Sequence, residues 1–159
     1  MDTAYLLIGG NIGNREEYLQ QARTLINELA GEVRKTSSIY ETAAWGMTDQ
    51  NAFLNQVLEI ATPYNAHHLM DRLLLIEEKM GRKRSIKFGP RTIDIDILLF
   101  GNEVHNTSHT RIPHPELPNR RFALIPLAEL AGDLEHPVLH KSINELLDAC
   151  PDQLAVNKI

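Results

Sequence analysis

Three observations predict an α+β fold with a mostly antiparallel central sheet and helices packed on both faces. Two stretches, 15–29 and the one that follows Asn65, carry apolar residues at helical spacing behind an asparagine cap. Around them lie runs of alternating or wholly apolar residues at 4–8, 33–42, 53–60 and 93–100, which read as strands. In chain order these give strand, helix, strand, strand, helix, strand, the ferredoxin-like plan, with additional helix at the C-terminus. At 159 residues the chain suits one domain, 1–159, with room for a core that needs no cross-links.

The first strand, Ala4 to Ile8, is a short apolar run that Gly9 and Gly10 should end. Gly9-Gly10-Asn11-Ile12-Gly13-Asn14 has neither dinucleotide nor P-loop spacing, and no lysine follows, so its glycines read as turn formers. Asn14 caps the helix Arg15–Leu29, whose apolar side is Tyr18, Ala22, Leu25, Ile26 and Leu29; Gly31 follows its end. Val33 to Thr42 reads as one β-prone strand, and Ala43 to Asn51 as a loop carrying the only tryptophan, Trp45. Phe53 to Ile60 alternates, with Phe53, Asn55, Val57 and Glu59 on one face and Leu54, Gln56, Leu58 and Ile60 on the other. A ring and an amide two residues apart can stack on and hydrogen-bond a flat heterocycle, although the pair alone better fits an ordinary half-exposed strand.

Asn65 caps the second helix, with Leu69, Met70, Leu73, Leu74, Ile76 and Met80 on its apolar side. His67 and His68, in its first turn and without i,i+4 partners, read as surface residues. Glu77 and Glu78 lie near its end, where a carboxylate opposes the helix dipole, a hint of another task for one of them.

From Ile93 the chain reads Ile-Asp-Ile-Asp-Ile and then turns wholly apolar, which predicts a central strand. Ile93, Ile95, Ile97 and Leu99 would line the core, and Asp94 and Asp96 would stand together on the other face, roughly 6–7 Å apart at the backbone. A bare Asp-x-Asp is commonly the solvated side of an edge strand. Here Arg82, Lys83, Arg84, Lys87 and Arg91 crowd just upstream, and carboxylates beside cations suit a metal–polyphosphate complex.

Gly101-Asn102 is a turn, and Glu103 to Asn106 a short strand. Three prolines among residues 113–118 should hold an irregular, extended segment, with His114 fixed between two of them and arginines nearby. Phe122 to Leu130 reads as a buried helix that Pro126 interrupts or restarts. Ser142-Ile143-Asn144-Glu145 is a capping box opening a last helix to about Ala149, and Asp152 to Ile159 reads as a tail. His136 and His140 have no metal-ligand context.

The formal charge of −5 argues against general affinity for nucleic acid or an anionic membrane, so the basic run is local and suits a small anionic ligand. Cys150 is the only cysteine, which excludes an internal disulfide. Without a basic leader or a long apolar run, the expectation is a cytoplasmic protein; the length favours a chain standing alone, and a monomer is expected.

Lys87 to Leu98 (Lys-Phe-Gly-Pro-Arg-Thr-Ile-Asp-Ile-Asp-Ile-Leu) strongly resembles the signature of the 6-hydroxymethyl-7,8-dihydropterin pyrophosphokinase family of folate biosynthesis. The resemblance runs almost end to end: Ile8-Gly9-Gly10-Asn11, Tyr40-Glu41-Thr42, Phe53-Leu54-Asn55, Ile76-Glu77, Gly81-Arg82, Phe100-Gly101-Asn102, Ile112-Pro113-His114 and Asn119-Arg120-Arg121-Phe122. Phe88 stands where many members carry tryptophan. The resemblance implies transfer of the pyrophosphoryl group of ATP to the pterin hydroxymethyl group, with release of AMP. It implies two Mg²⁺ ions on Asp94 and Asp96, and phosphate contacts from Arg82, Arg84, Arg91 and His114, with Arg120 also on the ATP side and Glu77 either toward the nucleotide or bracing the basic loop. Phe53 and Phe122 would sandwich the pterin, Asn55 would pair with its edge, and the backbone from Thr42 to Trp45 would meet other edges. The segments 81–89 and 43–51 would then be lids.

Two rival classes use the same features. A two-metal phosphohydrolase would need a water-positioning base and no aromatic sandwich. A non-catalytic ferredoxin-like nucleotide-binding module would need a metal-independent basic face.

Overall fold

The computed structural model describes residues 1–43, 51–81 and 93–159. In order they form β1 (Asp2–Gly10), α1 (Arg15–Leu29), β2 (Glu32–Thr36), β3 (Tyr40–Thr42), β4 (Phe53–Thr62), α2 (Ala66–Lys79) and β5 (Asp94–Phe100). There follow β6 (His105–Asn106), β7 (Arg111–Ile112), a 3-10 turn (Leu117–Asn119), α3 (Arg121–Ala131), α4 (Ile143–Asp148) and β8 (Val156–Lys158). The main sheet runs β5-β1-β4-β3-β8, with β2 also paired to β4, and its described pairings are antiparallel. β6 and β7 make a separate hairpin. The ferredoxin-like expectation holds.

Each face of the sheet has its own core. On one, Leu6, Ile8, Leu58, Ile60, Ile95 and Ile97 pack against Ala22 and Ile26 of α1 and Leu69, Leu73 and Ile76 of α2. On the other, Leu7, Val57, Leu98 and Leu99 pack against Leu124 and Leu127 of α3 and Ile143 of α4. Each such buried leucine, isoleucine or valine contributes about 1.5–3 kcal/mol, against about 0–1 kcal/mol for a surface ion pair such as Arg34–Glu32. The cores, not the charges, hold the layers together.

The helix ends follow the sequence. Asn14 Oδ1 accepts from Glu17 N, Asn65 Oδ1 from His68 N, and Ser142 and Glu145 complete the capping box. α3 has no local cap; the distant Asp152 accepts from Arg121 N at 3.1 Å and from Leu154 N at 3.0 Å.

Several expectations are corrected. Gly9 and Gly10 do not turn the chain but extend β1, and only Gly13 of that run has a positive φ. The strand expected over 33–42 breaks at Ser37, whose Oγ accepts from Val57 N while its own amide donates to Val57 O. β5 is an edge strand rather than a central one, apolar because both faces are covered. A register shift against β1 at Leu98 sends Leu99 to the α3 side and Phe100 to the helix α1–α2 side. The proline-rich segment is not extended throughout, since Leu117–Asn119 coils with Pro118 early in the turn, where its missing N–H costs nothing. Pro126 lies inside α3 without ending it. The supposed tail supplies β8.

Two tyrosines make partly buried links, Tyr40 from the sheet to α3 and Tyr5 between neighbouring strands. Tyr40 O–H donates to Glu129 of α3 at 2.6 Å, and Tyr5 O–H donates to Glu59 at 2.8 Å. Burial, then the carboxylate partner, pushes both phenols from 10.0 up to about 12. A pKa raised on folding gives stability that is full below the unfolded value and lost as pH rises through the folded one. Unfolding midpoints should therefore fall between pH 10 and about 12, and Tyr40→Phe should flatten part of that slope.

Candidate active site

The register of the sheet assembles one face. Gly9 of β1 lies opposite Asn55 of β4 on one side and Asp94 of β5 on the other, and Asn55 in turn lies opposite Tyr40 of β3. Directly opposed residues of antiparallel strands point to the same side, so Tyr40, Asn55, Gly9 and Asp94 form a row across four strands. The neighbouring rows carry Thr42 with Phe53, and Val57 with Leu7 and Asp96. At two strand spacings, Asn55 and Asp94 are roughly 10 Å apart at the backbone. This is the face that α3 covers, through Tyr40–Glu129 and the core around Leu7 and Val57.

Gly9 is the low point of that row. A Cβ there would meet Asn55 Oδ1 at 2.1 Å and Leu54 O at 2.9 Å, so the Asn55 carboxamide lies over a backbone that must lack a side chain. Asn55 is buried, and so is Thr42, whose Oγ1 has no hydrogen-bond partner among the described residues. A buried hydroxyl left this way costs about 1–3 kcal/mol, which a polar ligand edge would recover. Phe53 is half-buried on the same face, and Phe122 is half-buried in the first turn of α3 with the Arg120 guanidinium 5.8 Å from its ring centroid.

Asp94 and Asp96 are half-exposed on β5 while Ile93, Ile95 and Ile97 between and around them are buried, so the expected alternation is present. The outer edge of β5 is braced at two points. Ile95 N donates to Glu77 Oε2 at 2.7 Å, and Leu98 O accepts from His114 N at 3.0 Å. Glu77 is buried in the last turn of α2, so the carboxylate that opposed the helix dipole has a positioning task on the aspartate strand. His114 Nδ1 accepts from Glu116 N at 3.1 Å, which leaves the proton of the neutral ring on Nε2. Burial lowers its pKa and the nearby Arg120 adds to this, against the opposing pull of Asp96 and Glu116. His114, Arg120 and Asp96 thus share one electrostatic neighbourhood.

Of the residues singled out in the sequence, the structure brings Thr42, Phe53, Asn55, Asp94 and Asp96 to one sheet face, with Phe122 and Arg120 at the start of the helix over it. Glu77 and His114 stand along the β5 edge. Trp45, Arg82, Arg84 and Arg91, with residues 44–50 and 82–89 of the two lid segments, lie outside the described residues. Three residues were not singled out. Gly9 lies in β1 opposite Asn55, where the sequence pattern predicts a turn. Arg15 donates to Glu41 Oε2 and Ala52 O, both at 2.8 Å, and the buried Asn11 donates to Asn51 O at 3.1 Å. These two hold the residues flanking 44–50, and only the resemblance around Asn11 gave any signal of it.

A model of the family described as 7,8-dihydro-6-hydroxymethylpterin-pyrophosphokinase matches residues 5–132. The chain is 46% identical over 133 residues to the 2-amino-4-hydroxy-6-hydroxymethyldihydropteridine pyrophosphokinase of Bacillus subtilis, covering 83% of this chain and 80% of that one. It is 40% identical over 145 residues to the protein of the same name from Aquifex aeolicus, covering 91% and 90%. Among solved structures, the HPPK-DHPS of Plasmodium falciparum superposes with a TM-score of 0.72 at 18% identity, over 94% of this chain and 43% of that longer one. That likeness supports the fold, and the closer sequence relatives carry the rest: the chain belongs to the 7,8-dihydro-6-hydroxymethylpterin-pyrophosphokinase family.

Proposed function

We propose that the chain transfers the β,γ-pyrophosphoryl group of ATP to the hydroxymethyl group of 6-hydroxymethyl-7,8-dihydropterin and releases AMP, by in-line attack at the β-phosphorus. Family membership gives the pyrophosphokinase activity. The observation that carries the finer reading is the row Asn55–Gly9–Asp94, which sets an amide reader and a carboxylate pair on one face. A bicyclic heterocycle lying over Gly9, with its edge on Asn55 and Thr42, directs its substituent toward Asp94 and Asp96. Phe53 and Phe122 would stack on its two sides.

Asp94 and Asp96 fit Mg²⁺, since they are hard oxygen donors, solvent-accessible and two residues apart on one strand. When bound, two such ions would stabilise the attacking and leaving oxygens of the displacement. The chain's own groups do the rest. His114, neutral and with its proton on Nε2, donates to a phosphate oxygen, while Arg120 adds a fixed positive charge. Arg82, Arg84 and Arg91 would supply the remaining phosphate contacts. Glu77 acts from the nucleotide side by fixing β5 through Ile95 N. Closing of 43–51 and 81–89 would exclude water from the phosphorus.

The test is the nucleotide product formed from ATP, Mg²⁺ and the pterin. AMP appearing only with pterin and metal together is the expected result. ADP and phosphate formed without pterin would favour the phosphohydrolase, and metal-independent binding without turnover the non-catalytic module. Phe122→Ala should raise the pterin KM roughly tenfold through lost stacking and packing. Unchanged pterin affinity with only a lower melting temperature would make Phe122 a core residue.

A further inference from the structure

The β6–β7 hairpin brings His109 against the start of α2. His67 is a surface residue as expected, but Asp71 stands one helical turn beyond it, so the expectation that it has no i,i+4 partner is corrected. His67 Nε2 lies 3.9 Å from Asp71 Oδ2, and His109 Nε2 lies 2.9 Å from Asp71 Oδ1. The two imidazole rings are 4.1 Å apart at their centroids. One donor atom from each of the three residues lies within 4.8 Å of the others. Around a tetrahedral ion with bonds of about 2.0–2.1 Å, neighbouring donors sit roughly 3.3 Å apart, so small side-chain rotations complete the set.

A second observation points the same way. His109 Nε2 is buried beside Asp71 Oδ1, 2.9 Å away, and makes no other polar contact among the described residues. That nitrogen and that oxygen are near enough to share one cation when the imidazole is neutral. The helix N-terminus disfavours a cation, and the Asp71 charge offsets it. The side chains of His67, Asp71 and His109 are 61%, 50% and 30% exposed, which leaves an entry path and room for a water ligand.

We propose that His67, Asp71 and His109 form a site for a divalent transition-metal ion of the zinc class, clipping the β6–β7 hairpin onto α2. Two imidazoles and one carboxylate suit such an ion and not Mg²⁺ or Ca²⁺, which take oxygen donors. The site is separate from the aspartate pair: ten residues of α2, roughly 15 Å of helix, divide His67 from Glu77 beside β5. It stands whether or not the catalytic reading holds.

Adding Co²⁺ to the metal-free full chain should give the visible absorption band of a low-coordinate His/carboxylate site. Zn²⁺ should displace that band and raise the melting temperature, as binding to the native state requires. Band and thermal shift should both be lost in His67→Ala and in His109→Ala and be kept in Asp94→Asn/Asp96→Asn. A band that survives both histidine changes, or that disappears with the aspartates, overturns the proposal. A readout on the unmodified chain guards against a variant that fails to fold. Zn²⁺ should shift the imidazole proton resonances of His67 and His109 while those of His136 and His140 stay in place, and no shift, or one confined to His114, overturns it.

Discussion

Asp96→Ala should lower AMP formation by roughly 10³-fold or more while leaving the fold intact. Asp96 is half-exposed on an edge strand and belongs to neither core, and Leu7 opposite it keeps its packing against α3 without the carboxylate. The change removes a charge from the place where ATP phosphates and their cations would gather. Steady-state AMP formation and the unfolding midpoint, measured on the same preparation, separate the two effects. Unchanged Mg²⁺-dependent transfer would remove Asp96 from the reaction, and a collapsed midpoint would make it structural.

Gly9→Ala should act through a neighbour. Its new methyl group would occupy the position of Asn55 Oδ1 and crowd Leu54 O, so the carboxamide must swing off the row. The expected results are a pterin KM raised by roughly ten- to a hundredfold and a stability loss of about 1–3 kcal/mol from overpacking. The double variant Gly9→Ala/Asn55→Ala should recover part of the stability and none of the pterin affinity, a non-additivity that marks direct contact. Equal losses for both substrates would point instead to a general distortion of β1.

The fold was legible where a single period ran without interruption. The alternation from Ile93 to Ile97 and the helical spacing of 15–29 survive because burial on one face alone sets them. The errors fall where another element decides. Ser37 breaks a strand because its hydroxyl takes the Val57 amide, and the shift at Leu98 depends on β1. β5 seemed central from its apolar run, yet it is an edge covered on both faces, a distinction no local pattern carries. At the site, Asp94, Asp96, Phe53 and Asn55 could be placed on faces from strand parity. Gly9 could not, since its need for a bare backbone appears only when β4 lies beside it. The partnership of His67 with His109 was likewise hidden, 42 residues apart in the chain.

The far end of the chain bears on when the molecule can first work. The helix carrying Phe122 starts from an amide that Asp152 satisfies, and the strand carrying Thr42 gains its outer neighbour only with Val156–Lys158. Both supports lie past residue 132, where the match to the family model stops. A nascent chain emerging N-terminus first can pair β1, β4 and β5 and set out the aspartates well before these residues leave the ribosome. The α3 and β3 side of the sheet is therefore completed last, after the aspartate strand is in place.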